Sequence, residues 1–98
     1  MDNLVNQITT KIYNEIEESL EEILNMYGIQ TRDSYGIKDI NSIKYQLEES
    51  GLDVVTAFDG VKHYIKVNDM VFTEVEVKFI PEKLELKVTK YYQKHIDK

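Results

Sequence analysis

The feature that most constrains the fold of this chain is a change in the spacing of its apolar residues near Leu52. Before that point apolar side chains recur every three or four residues, and after it they recur every second residue. The first spacing is typical of a helix with one buried face, and the second is typical of a strand in a sheet with one buried face. The sequence therefore predicts helices first and strands afterwards.

The first half of the chain predicts two helices. A long helix over residues 3–27 follows from an apolar stripe at four-residue spacing: Leu4, Ile8, Ile12, Ile16, Leu20 and Leu24. Gly28 is suited to end it, because glycine readily adopts the left-handed conformation that closes many helices. A second, shorter helix is predicted from Asp39 or Ile40 to Ser50, after a loop that contains several turn-forming residues.

The second half predicts four strands joined by three two-residue turns. The turns are Asp59-Gly60, Asn68-Asp69 and Pro81-Glu82. Asp-Gly is a strong signal for a type I′ hairpin turn, and proline favours the first corner of a turn. Between the turns, polar and apolar residues alternate, which is the pattern of a sheet covered on one side only.

We therefore expect an α+β fold in which two N-terminal helices pack on one face of a four-stranded antiparallel sheet, in the order ααββββ. A chain of 98 residues has room for one domain. We expect a single α+β domain over 1–98, with an acidic helical part over 1–51, an antiparallel meander over 52–93 and a basic tail over 94–98.

The net charge of −6 belongs entirely to the helical part. Residues 1–51 contain ten acidic and four basic side chains, whereas residues 52–98 contain eight of each. The first helix carries five closely spaced acids: Glu15, Glu17, Glu18, Glu21 and Glu22. These glutamates form either a solvated helix face or a recognition surface that presents charge to a basic partner in the manner of a phosphate backbone. We predict them as partner-binding residues.

Two other groups of residues suggest different interactions. Tyr64 and Phe72 fall on the predicted open face of the sheet, where exposed aromatic side chains suggest an interface between copies of the chain. The C-terminal segment interleaves bases and aromatics that could contact nucleic acid, namely Lys87, Lys90, Tyr91 and Lys94. An edge strand protected by lysines explains the same pattern, and the net negative charge opposes direct nucleic-acid binding.

The sequence contains no arrangement that predicts catalysis. There is no cysteine, and His63 and His95 lie far apart outside any metal-binding motif. The four glycines form no phosphate-binding loop, and no serine has a neighbouring base on a shared face. We therefore expect no catalytic residue, no metal, no cofactor and no enzymatic activity.

These observations lead to a small acidic interaction protein. Few alanines and arginines beside many isoleucines, lysines and asparagines suggest a low-GC bacterium or its phage. The chain shows neither a signal peptide nor an apolar run of membrane-spanning length, so we expect a cytoplasmic protein. The leading hypothesis is that it binds, and inhibits, a basic nucleic-acid-handling protein through the glutamates. The alternatives are a homo-oligomeric structural or assembly protein that uses the open sheet face or the first helix, and a nucleic-acid-binding accessory protein that uses the basic C-terminal segment.

Overall fold

The structure is a computed structural model that describes residues 2–29, 39–80 and 83–92. Its elements are α1 (Asp2–Met26), α2 (Ile40–Glu49), β1 (Val54–Phe58), β2 (Lys62–Val67), β3 (Met70–Ile80) and β4 (Lys83–Lys90). The strands form one antiparallel sheet in the order β1-β2-β3-β4, and the two helices pack against it. The predicted α+β architecture with helices first is therefore confirmed.

Both helices end with the same backbone motif. After α1, Gly28 has φ +71°, and the amide of Ile29 donates to the carbonyl of Leu24 at 2.9 Å. After α2, the amide of Leu52 donates to the carbonyl of Leu47 at 3.1 Å. This motif satisfies carbonyls that the helix leaves unpaired. It also directs Ile29 and Leu52 back onto the core, where both pack partly buried.

The core lies between the helices and one face of the sheet. Its buried apolar residues are Ile12, Ile16, Leu20, Ile23, Leu24, Ile43, Leu47, Val54, Ile65, Val67 and Val75. The buried stripe of α1 therefore starts at Ile12. Further towards the N-terminus Ile8 is half-buried, and Leu4 and Val5 are 41% and 58% exposed. The predicted apolar stripe is buried over its C-terminal part but not over its first turns.

The hairpin turns confirm one prediction and contradict another. Asn68 and Asp69 have φ of +52° and +72°, as a type I′ turn requires. Between β1 and β2 only Gly60 has positive φ, at +98°, which fits the first central position of a type II′ turn. The prediction of a type I′ turn at Asp59-Gly60 is therefore wrong. The Asp59 carboxylate accepts hydrogen bonds from the amides of Val61 and Lys62, both at 2.8 Å. The central residues of the turn are therefore Gly60 and Val61, one residue later than predicted. The Pro81-Glu82 turn lies outside the described residues.

A β-bulge in β3 changes the predicted position of Phe72. Ile65 pairs with Thr73 and Lys66 pairs with Val71, so that Phe72 has no partner of its own on β2. An extra residue of this kind shifts the alternation of side chains on the bulged strand. Phe72 packs against the core cluster and stacks on Tyr92 with ring centroids 5.6 Å apart. Its predicted place on the open face is therefore wrong.

Candidate functional site

The five predicted glutamates form a band around the solvent side of α1, which we call the acidic face. At 100° per residue, Glu18 lies about 160° from the buried Ile16 and so points directly away from the core. Glu17 and Glu21 lie on one side of Glu18, and Glu15 and Glu22 lie on the other side. The band therefore extends from the border with α2 to the border with β4.

At the β4 border, the acidic face is partly neutralised within the chain. The Nζ of Lys90 donates to Oε1 of Glu22 at 2.8 Å, across 68 residues of sequence. A hollow of about 470 Å³ adjoins this ion pair and is lined by Glu22, Asn25, Met26, Lys90 and Tyr92. Because both side chains are substantially exposed, the ion pair stabilises the fold by no more than about 1 kcal/mol. Glu22 can therefore exchange Lys90 for another cation at low cost.

At the α2 border, a second hollow of about 470 Å³ separates the acidic face from the start of α2. Glu17 and Lys44 lie in its lining, together with Asp39, whose side chain caps α2 by accepting the amide of Asn41 at 3.2 Å. One carboxylate oxygen of Glu17 is buried and has no hydrogen-bond partner among the described residues. Part of the Glu17 carboxylate therefore lies out of contact with solvent, at the edge of the acidic face.

The acids of the molecule concentrate in the helices. Over Asp2–Met26, α1 contains six acidic side chains and one basic side chain, Lys11. The described strands and turns from Val54 to Tyr92 contain five acidic and six basic side chains. Because the helices cover only one face of the sheet, the two sides of the molecule differ in charge. This separation agrees with the charge distribution along the sequence.

The open face of the sheet carries a hydrogen-bond network that the sequence did not predict. The hydroxyl of Tyr64 donates to Oδ2 of Asp59 at 2.9 Å. Nearby, Glu74 accepts from Lys62 at 3.1 Å and from the hydroxyl of Tyr91 at 2.9 Å. Tyr64 does lie on the open face, as predicted, but its hydroxyl is used within the chain. The tyrosines therefore hold carboxylates in place, a role that alternation alone does not reveal.

These contacts shift the pKa of each group in the direction that preserves the network. The pKa of Asp59 is lowered, first by the backbone amides of Lys62 and Val61 and then by the Tyr64 hydroxyl. The Lys62 ammonium and then the Tyr91 hydroxyl lower the pKa of Glu74. Hydrogen bonding to these carboxylates raises the pKa of Tyr64 and Tyr91. The groups therefore hold their ordinary charge states near neutral pH, which fits a structural role.

We expect Tyr64→Phe to raise the pKa of Asp59 towards its ordinary value, because one of three donors to the carboxylate is removed. The two backbone donors remain, so the pKa stays below the ordinary value. Tyr91→Phe is the matched control, since it should raise the pKa of Glu74 and leave Asp59 unchanged. Carbon-13 NMR titration of the carboxylates measures both. An Asp59 pKa that is unmoved by Tyr64→Phe would show that this hydrogen bond does not form in solution.

The same pKa shifts determine how the unfolding free energy depends on pH. Folding lowers the pKa of Asp59 and Glu74, so each contributes stability above its unfolded pKa of about 4 and loses it as pH falls through the folded value. The unfolding free energy of the protein therefore decreases in acid, and it decreases less in the two phenylalanine variants.

The predicted nucleic-acid contacts do not share a face. Lys87 pairs in register with Glu76 on the open side of the sheet, and Tyr91 also lies on that side. Lys90 pairs in register with the buried Thr73, and its side chain reaches α1 on the opposite side. Lys94 lies outside the described residues. The structure thus separates residues that the sequence places close together.

The described residues contain no group of three or more His, Asp or Glu side chains close enough to hold a metal ion. His63 is half-buried and stacks on Phe58 with ring centroids 4.4 Å apart, and burial lowers its pKa. His95 lies outside the described residues. Neither α1 nor α2 has the length and apolar character that crossing a lipid bilayer requires.

Comparison with known proteins yields no family model, no curated protein and no solved structure that matches this chain.

Proposed function

We propose that this protein is a small non-enzymatic interaction protein of a low-GC bacterium or its phage, acting in the cytoplasm. It binds a basic, nucleic-acid-handling protein through the acidic face of α1 and inhibits it by occupying the surface that takes nucleic acid. The single observation that carries this proposal is the band of five glutamates on the solvent side of a helix whose other side is anchored in the core.

The rigidity of α1 supports this role. Ile16, Leu20, Ile23 and Leu24, within the segment that carries the glutamates, are buried in the core. Carboxylates on such a helix keep a defined spacing of 1.5 Å rise and 100° per residue, so binding orders only the ends of the side chains. Preorganised charge of this kind loses less entropy on binding than charge on a disordered segment.

The glutamates of the acidic face are placed where they destabilise the isolated helix, and this also supports the proposal. Glu17 with Glu21, and Glu18 with Glu22, are like-charge pairs four residues apart, each of which destabilises an isolated helix by about 0.2–0.5 kcal/mol. They lie in the C-terminal half of α1, where the helix dipole favours cations, and the last turn contains no basic residue. A basic partner would relieve both effects. The proposed function thus explains why unfavourable charges are placed together.

Two alternatives have less support. A nucleic-acid-binding role through the C-terminal segment is disfavoured, because Lys90 contacts α1 while Lys87 and Tyr91 lie on the other side of the sheet. Self-association through aromatic residues of the open sheet face is weakened, because Phe72 packs against the core cluster. Tyr64 remains on that face.

A pull-down from a low-GC bacterial lysate tests the proposal. We expect a nucleic-acid-handling protein to be retained at about 0.1 M salt and released at about 0.5 M salt, since screening shortens the range of electrostatic attraction. Double-stranded DNA added to the column should release the same protein, because both ligands occupy one basic surface. Retention that is insensitive to both salt and DNA would contradict the proposal.

A further inference from the structure

The two edges of the sheet differ in how they are protected. The strand β4 carries charged side chains along its length: Lys83, Glu85, Lys87 and Lys90. The strand β1, at the opposite edge, reads Val-Val-Thr-Ala-Phe and has no charge and no proline. Its pairing with β2 is regular from Val54 to Phe58, without a bulge. Charges, prolines and bulges are the usual features that keep a sheet edge from pairing with another chain, and β1 has none of them.

Among the described residues, the backbone groups on the outer edge of β1 have no partner, and they follow a defined pattern. The amide of Asn68 donates to the carbonyl of Asp53, and the amide of Asp59 donates to the carbonyl of Lys62. In an antiparallel ladder, hydrogen-bonded and non-hydrogen-bonded pairs alternate. Every second residue from Asp53 to Asp59 therefore bonds to β2, and the residues between them do not. Val54, Thr56 and Phe58 therefore point their amides and carbonyls away from β2. In the ranges that the structure describes, no strand pairs with this edge.

Apolar side chains surround these unpaired groups. Phe58 is 59% exposed and Val55 is 44% exposed, and Val61 in the adjoining turn is also exposed. Thr56, at the middle of β1, borders the hollow that Tyr13 and other residues line beneath α2. Within the part of the chain that the structure describes, an added strand would therefore find free hydrogen-bonding groups, exposed apolar side chains and space on the helical side of the sheet.

We infer that two copies of this chain pair antiparallel through β1, so that their sheets join into one continuous sheet. A two-fold axis at Thr56 places Val54 opposite Phe58 of the second copy, and every outward amide and carbonyl of the strand then finds a partner. On the other face, Val55 meets Ala57 of the second copy at a non-hydrogen-bonded position, where side chains approach most closely.

The second copy is the occupant that fits β1 best. An uncharged strand has no side chain that would select a charged peptide. In contrast, the two-fold axis pairs Phe58 with Val54 twice, and pairs of an aromatic and a β-branched residue stabilise sheets. A strand of five residues is short, and its pairing buries less than a standard interface, so the dimer is expected to be weak. Each copy carries a charge of −6, so the copies repel each other and added salt strengthens the dimer.

The opposite effect of salt separates this inference from the proposed function. Salt weakens binding of the acidic face to a basic partner, whereas it strengthens pairing through β1. The tested residue of β1, Val55, pairs in register with Lys66 on the open face of the sheet, away from the glutamates of α1, so its substitution leaves the acidic face intact. Either proposal can therefore fail while the other survives.

Val55→Lys tests the dimer, with Val71→Lys as its matched control. Both valines pair in register with Lys66 on the open face, so both substitutions place a lysine beside the same charge. Only Val55 lies at the edge. In sedimentation velocity up to about 1 mM protein, a range suited to weak interfaces, we expect a dimer whose Kd rises at least about tenfold in Val55→Lys and stays unchanged in Val71→Lys.

Amide hydrogen exchange on the natural chain gives a second test that does not depend on a variant. At low concentration the outward amides of Val54, Thr56 and Phe58 should exchange fast, while those of Val55 and Ala57 are protected. At high concentration the three outward amides should become protected as well. A chain that stays monomeric near 1 mM, equal weakening in both lysine variants, or a dimer without this protection would overturn the inference.

Discussion

Reversing Glu17, Glu18, Glu21 and Glu22 to lysine is expected to abolish binding to the basic partner and to leave the fold intact. The change takes the net charge from −6 to +2 and turns attraction at the contact surface into repulsion. Close charge pairs at interfaces contribute about 1.5 kcal/mol or more each, so the loss of several raises Kd by at least about 100-fold. Titration calorimetry or biolayer interferometry with the captured partner measures this change.

The fold should survive because the core side of α1 is unchanged. Lysine has a helix propensity close to that of glutamate, and cations suit the C-terminal half of a helix. The exposed ion pair between Glu22 and Lys90 is lost, and exposed pairs contribute little. Circular dichroism and urea unfolding should therefore show a folded variant, so that loss of binding can be assigned to charge.

A pair of double variants locates the contact. Glu18→Lys with Glu22→Lys, and Glu48→Lys with Glu49→Lys, change the net charge equally and replace exposed glutamates at helical positions. Only the first pair lies on the acidic face. We expect the first double variant to weaken binding strongly and the second to have a small effect through long-range attraction. Equal weakening in both would mean that net charge, rather than the acidic face, determines binding.

The parts of the fold that depend on local signals were predictable from the sequence. The change of apolar spacing at Leu52, the glycines after both helices and the Asn68-Asp69 turn each act within a few residues, and the structure confirms them. Propensity and hydrophobic periodicity operate at the same short range. For that reason the element order followed from the sequence, and the expected meander matches the observed strand order β1-β2-β3-β4.

The errors arise where a distant or subtle contact competes with a local preference. The bulge lies where two apolar residues, Val71 and Phe72, are adjacent in the sequence. Simple alternation cannot decide which of them faces inward. The turn at Asp59 depends on where its carboxylate finds donors. Lys90 meets Glu22 across 68 residues, a distance over which sequence patterns carry no signal. The charge of the candidate site was therefore predictable, whereas its internal partners were not.

The depth of burial along α1 leads to the largest expected effect on stability. Leu20→Ala is expected to lower the unfolding free energy by about 2–5 kcal/mol, because Leu20 is fully buried and its truncation leaves a cavity in the core. Domains of this size are typically stable by about 5–15 kcal/mol, so this loss is a large part of the total. Urea unfolding followed by circular dichroism measures it.

Leu4→Ala provides the matched control on the same helix. The substitution is chemically identical, and leucine and alanine are both strong helix formers, so the difference between the two variants reports mainly burial. Because Leu4 is 41% exposed, we expect a loss of less than about 1 kcal/mol. A loss comparable to that of Leu20→Ala would mean that the first turns of α1 are covered in solution. Repeating the measurement across a range of protein concentrations would then show whether a second copy covers them, since only an intermolecular contact makes stability depend on concentration.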